Sequence, residues 1–125
     1  MKWLIGIIIL LVIAGFVLFE TDIPAAEVDA RYSNAASQFL VLGDNGRIHF
    51  RDEGNADGRP IVLLHGSNSS LHTWDPCVDF LSNDYRFVSF DLPGHGLTGR
   101  TPADDFSTEA FIAVVKALAD HLNLE

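Results

Sequence analysis

Ile61-Val62-Leu63-Leu64 is a run of four apolar residues that stops at His65-Gly66-Ser67-Asn68-Ser69-Ser70. A run apolar at every position suits a β-strand covered on both faces, as in a parallel sheet flanked by helices. Pro60 sits at its start, where a missing N–H costs little. The residues that follow bury badly, so the chain must turn there. Gly66 has no Cβ and permits a tight turn with close approach of a ligand. The next N–H, on Ser67, is then placed to donate to a developing negative charge. Such donors contribute about 3 kcal/mol each in a dry, preorganised site. A plain strand-to-helix turn is the competing reading of the same residues.

The neighbouring segments supply the rest of a sheet. Phe39-Leu40-Val41-Leu42 and Arg47-Ile48-His49-Phe50 flank Gly43-Asp44-Asn45-Gly46, and Asn-Gly between strand-like runs signals a hairpin. Arg86 to Phe90 is a further strand. Between it and the apolar run lies a short helix, with Asp75 as N-cap, Pro76 at the first helical position, and Val78, Phe80 and Leu81 as its apolar side. Phe111, Val114, Val115, Leu118 and Leu122 share one face of a last helix. Ser107 suits its N-cap, Phe106 a staple against Phe111, and Asn123 its carboxyl-terminal cap. Strand–helix–strand units imply a parallel sheet with right-handed crossovers, whose functional groups gather beyond the carboxyl ends of the strands. That edge holds His65-Gly66-Ser67 and Asp91-Leu92-Pro93-Gly94-His95-Gly96.

The other histidines, His49, His72 and His121, form no His-x-x-x-His pair with one another or with His65 or His95, so no metal site is expected. The single cysteine, Cys77, reads as a packed thiol. Asp91 reads as a partner for the glycine-rich turn after it rather than as an acid.

Charge divides the chain. Residues 3–19 carry none, whereas from Glu20 onward seven basic residues face seventeen acidic ones. A body with net charge near −10 repels nucleic acid. Residues 1–20 read as a membrane-spanning anchor, with a cleaved signal segment as the alternative. Lys2 before the apolar run and Glu20 and Asp22 after it favour a cytoplasmic amino terminus and an exported body, single-pass at the cell membrane; secretion follows if the segment is cleaved. Residues 21–36, small and polar, read as a linker.

With the strands on both sides, VLLHGSNSSLHTWDP and SFDLPGHGLTG resemble the amino-terminal part of the α/β-hydrolase fold superfamily, over roughly Ser37 to Glu125. The resemblance implies that residues 37–125 form part of an α/β domain: a hairpin followed by strand, helix, strand and helix, taken from a larger mostly parallel sheet. It implies that Ser67 supplies an oxyanion-hole backbone N–H, shaped by His65 and Gly66. Asn68, Trp74 and His95 are the candidate substrate contacts. It also implies hydrolysis of an ester or similar small-molecule bond through a serine nucleophile, without a cofactor. Family members with an acidic nucleophile cleave epoxides or carbon–halogen bonds.

The family's nucleophile stands in a Gly-x-Ser-x-Gly elbow after the fifth strand, followed by an acid and a histidine. This chain contains no such elbow. The expectation is therefore a chain inactive alone, whose small-molecule substrate belongs to a full-length parent. The alternative is a non-catalytic membrane-anchored interaction module or an inactive gene fragment. Without a fifth strand beside it, Ile61–Leu64 becomes an apolar sheet edge that invites pairing with other chains.

Overall fold

The computed structural model describes residues 2–19, 22–43, 46–101 and 103–124. They fall into two units, one up to Ala30 and one from Arg31 onward. In the first, helix α1 spans Lys2–Leu18, 17 residues that are apolar on every side from Trp3 onward. Its rise is about 25 Å, short of a hydrocarbon core of about 30 Å. The expected transmembrane helix is not supported: no helix among the described residues is long and apolar enough to cross a membrane. Glu20, one of the flanking charges, lies outside the described residues. Helix α2, Ala25–Tyr32, occupies much of the segment expected to be a linker. Pro24 starts it, its carbonyl accepting from the N–H groups of Glu27 and Val28. Ala25, Ala26 and Glu27 then favour the helix.

From Arg31 onward the chain builds four strands: β1 (Ser37–Leu42), β2 (Gly46–Gly54), β3 (Arg59–Leu64) and β4 (Tyr85–Phe90). Their order is β1-β2-β4-β3. β1 and β2 form the expected hairpin, with Leu42 opposite Gly46; Asp44 and Asn45 of its turn lie outside the described residues. β2 also pairs antiparallel with β4, while β3 runs parallel to β4 with Leu64 beside Phe90. A 3-10 turn, Leu71–Trp74, leads into helix α3, Asp75–Leu81. Trp74 is its N-cap, one residue before the expected Asp75, and Asp75 joins the first turn. Helix α4 spans Thr108–His121, and the Ser107 hydroxyl accepts from the Ala110 N–H as an N-cap should. At its far end Asn123 takes positive φ, and the Leu124 N–H returns to the Ala119 carbonyl, closing the helix with a left-handed residue.

Strand alternation assigns each face. Ile48 and Phe50 of β2, with Val88 and Phe90 of β4, turn toward α4, where Val114 and Leu118 close a core cluster. Phe87 and Leu63 turn the other way and pack on Val78 of α3. The same parity puts His49, Arg51 and Ser89 on the α3 side, all buried. Arg51 pays for its burial with an ion pair to Asp75 at 3.0 Å, which ties the start of α3 to β2. On β3 the expectation of cover on both faces fails. Leu63 is buried, but Val62 and Leu64, on the α4 side, are 36% and 47% exposed because β3 is the sheet edge and α4 lies over β2 and β4.

Candidate functional site

Because β3 and β4 are parallel and in register to their last residues, their carboxyl ends lie side by side. His65 leaves one strand and Asp91 the other. The Leu92 N–H donates to His65 Nε2 at 3.0 Å, and His65 Nδ1–H donates to the Gly66 carbonyl at 2.8 Å. A ring that accepts at Nε2 and donates at Nδ1 is one defined neutral tautomer. The 4.0 Å approach of His65 Nε2 to Asp91 Oδ1 is therefore not an ion pair. His65 acts as a strut between the two strand-end loops.

Asp91 is the hub of the site. Its carboxylate is 1% exposed. Oδ1 accepts from the Leu71 N–H at 2.8 Å; Oδ2 accepts from the Leu97 N–H at 2.9 Å and from His49 Nδ1 at 2.8 Å. Burial alone would raise its pKa, but the hydrogen bonds from His49, Leu71 and Leu97 outweigh it and hold the group below the usual carboxylate range. The Asp91 carbonyl also accepts from Thr98 Oγ1, which in turn accepts from the His49 N–H. One side chain thus fixes the loop after β3, the turn after β4 and the middle of β2. Gly96 completes the arrangement. Its φ of +46° and the carboxylate packed where a Cβ would stand both require glycine.

The loop from His65 to Ser70 carries the proposed anion cradle. Gly66, Ser67 and Asn68 are exposed. Among the described residues the Ser67 N–H has no hydrogen-bond partner, lying in neither a ladder nor a helix. The φ of Gly66 is not positive, and an added Cβ would meet nothing within 4 Å, so the space in front of it is open. The tight geometry falls on Asn68 instead, at φ 55°, a conformation that asparagine tolerates better than most residues. The structure brings His95 to the site, its ring 5.2 Å from that of His65 and its Nδ1–H on the Pro93 carbonyl. Trp74 is placed differently. It packs into the Leu63, Val78 and Phe87 cluster under α3.

Sequence reasoning passed over His49 and the long reach of Asp91 to Leu71. The signal available was the alternation Ile48-His49-Phe50-Arg51, which in a doubly covered strand obliges two polar side chains to find partners. Among the described residues no group of three or more His, Cys, Asp or Glu side chains is arranged to hold a metal ion.

Residues 59–125 match the sequence profile of the alpha/beta hydrolase fold. A serine hydrolase-like protein of Danio rerio is 36% identical over 89 residues, covering 70% of this chain and 27% of that protein. Among solved structures, an esterase, RhEst1, from Rhodococcus superposes with a TM-score of 0.62 at 32% identity, over 71% of this chain and 33% of its own. The Cif epoxide hydrolase from Acinetobacter nosocomialis gives 0.63 at 25% identity, over 83% and 36%. The chain spans roughly a quarter to a third of the length of the curated relatives it matches. With the profile covering more than half its length and the β1-β2-β4-β3 sheet in place, the chain belongs to the alpha/beta hydrolase fold family.

Proposed function

We propose that this chain is the front of a hydrolase that cleaves an ester or similar small-molecule bond, with the Ser67 N–H as one donor of the oxyanion hole. The observation that carries the reading is the exposed, unpartnered Ser67 amide at the carboxyl edge of a parallel strand pair, in a loop held by Asp91 and His65. In a polypeptide that also supplies the family's serine elbow, acid and histidine, the serine oxygen adds to the substrate carbonyl. The carbonyl oxygen takes the negative charge, and Ser67 N–H donates to it more strongly in that state than in the ground state. His65, Gly66 and Asn68 shape the cradle, and His95 flanks it as a substrate contact. An acidic nucleophile acting on an epoxide uses the same front half, and the likeness to the Cif epoxide hydrolase keeps that substrate class beside esters.

Ser67→Pro removes the N–H in question. In a polypeptide carrying this chain and the elbow, kcat on a p-nitrophenyl ester should fall about 10²- to 10³-fold with KM little changed. Retained kcat in a folded variant refutes the role. The 125-residue chain itself should show no turnover.

The membrane belongs to the same proposal. Residues 3–19 are apolar all round and exposed, and a helix of that kind needs lipid or protein cover. We assign them to membrane attachment, with the body on the exported side as the flanking charges favour. Resistance to alkaline carbonate extraction is the expected result; release into the supernatant refutes it. The open β3 edge favours one second reading, a non-catalytic interaction module whose partner covers Val62 and Leu64. A stoichiometric partner that co-purifies and prevents aggregation would select it.

A further inference from the structure

On the α3 side of the sheet three side chains form a relay. Ser37 Oγ lies 2.9 Å from His49 Nε2, and His49 Nδ1 lies 2.8 Å from Asp91 Oδ2. Strand register builds it. Phe39 is opposite His49 and Ser37 opposite Arg51, so Ser37 is the diagonal neighbour of His49 on one face of the hairpin. Asp91 continues the parity of Phe87 and Ser89 onto the same face.

The protons follow from the partners. Asp91 accepts from two backbone N–H groups besides His49 and stays a carboxylate. A carboxylate at Nδ1 fixes the His49 proton there, which leaves the Nε2 lone pair facing the Ser37 hydroxyl. His49 is fully buried, so water does not compete for Nε2. Ser37 is half-buried on an edge strand, open enough to meet a reagent. The Asn34 N–H donates to the same Oγ at 3.0 Å, where it supports an oxygen losing its proton. The competing acceptor, Asn34 Oδ1, is longer at 3.4 Å.

A hydroxyl within hydrogen-bond reach of a base, itself oriented by a third group, is the general mark of an activated nucleophile, recognised by geometry and roles rather than by position in the chain. We propose that Ser37 is a reactive nucleophile, with His49 as its base and Asp91 orienting that base, and that it takes electrophilic acyl or phosphonyl compounds. The site shares Asp91 with the support of the Ser67 loop, but it does not rest on the hydrolase reading. With a fluorophosphonate, Ser37 Oγ attacks phosphorus and the P–F bond breaks. Fluoride leaves with the bonding electrons, and the Oγ proton passes to His49 Nε2. The imidazolium is held by Asp91, and the product is a phosphonate ester on Ser37.

The test is labelling of the full 125-residue chain in detergent with a tagged fluorophosphonate, read by intact mass and peptide mapping. One adduct is expected, on Ser37, stoichiometric and without turnover. It should be lost in Ser37→Ala and unchanged in Ser82→Ala at the end of α3. In His49→Gln its rate should fall about 100-fold, the low end for a positioned base, with the far-ultraviolet circular dichroism unaltered. Should His49→Gln fail to fold, Ser37→Ala and the mapping still decide, since removing a half-buried hydroxyl leaves the strand intact. No adduct on the folded chain, an adduct on another serine, or an equal rate in folded His49→Gln overturns the proposal.

Discussion

Asp91→Asn keeps the size of the hub and removes its charge. The carboxylate accepts three hydrogen bonds, one at Oδ1 from Leu71 and two at Oδ2 from Leu97 and His49. An amide has one accepting oxygen. Placed where Oδ2 stands, it keeps the Leu97 and His49 bonds but turns its NH2 toward the Leu71 N–H, leaving that buried donor unpaired. Placed the other way, it faces two donors with its own. The better orientation therefore strands one backbone N–H, at about 1–3 kcal/mol. The two bonds it retains lose their charge assistance, roughly a further 1 kcal/mol. The expected loss is about 2–4 kcal/mol, a drop of about 30- to 1000-fold in the folded population. Urea unfolding of the full chain in detergent, followed by Trp74 fluorescence, reads the total. Amide exchange localises it, since Leu71 should lose protection before the centre of β4 does. A midpoint within about 0.5 kcal/mol of the parent chain, with Leu71 still protected, would refute the hub.

Acid should act through the same carboxylate. Its folded pKa is depressed, so its stabilisation is fully present above the unfolded value of about 3.9 and is lost as pH falls through the lower folded value. The parent chain should lose stability below about pH 4, and Asp91→Asn should lack that component; parallel acid titrations by circular dichroism would contradict this. Gly96→Ala, forced to positive φ against the Asp91 carboxylate, should cost at least about 1–3 kcal/mol in urea unfolding, and a neutral result would be incompatible with the turn described. Leu64→Lys places a charge on the exposed β3 edge and should increase the monomer fraction on size exclusion; an unchanged profile argues against edge pairing.

Much of the fold was legible because its signals were local. The Ile61–Leu64 run, the hairpin and the Ser107 cap each declare themselves within about ten residues, and their order fixes a parallel β3–β4 pair. The site was legible only in part. That His65 and Asp91 stand at one edge follows from strand order. That Asp91 reaches back 20 residues to Leu71 and across to His49 depends on which strands become neighbours. β2 reads only as half of a hairpin, yet it pairs on both sides, which buries His49 and Arg51. Trp74 suits either a substrate contact or core packing in sequence; the 3-10 turn places it in the α3 core. Residues 25–32 looked like linker because they carry no strong apolar period, and the helix there rests on propensity after Pro24.

Site-resolved amide exchange on the full chain reads whether the Ser67 N–H is free. It should exchange close to the rate of an unprotected amide, while the N–H groups of Leu71, Leu92 and Leu97, bound to Asp91 and His65, are strongly protected. A Ser67 amide as protected as those three would show it already committed within the protein, with nothing left to offer an anionic oxygen.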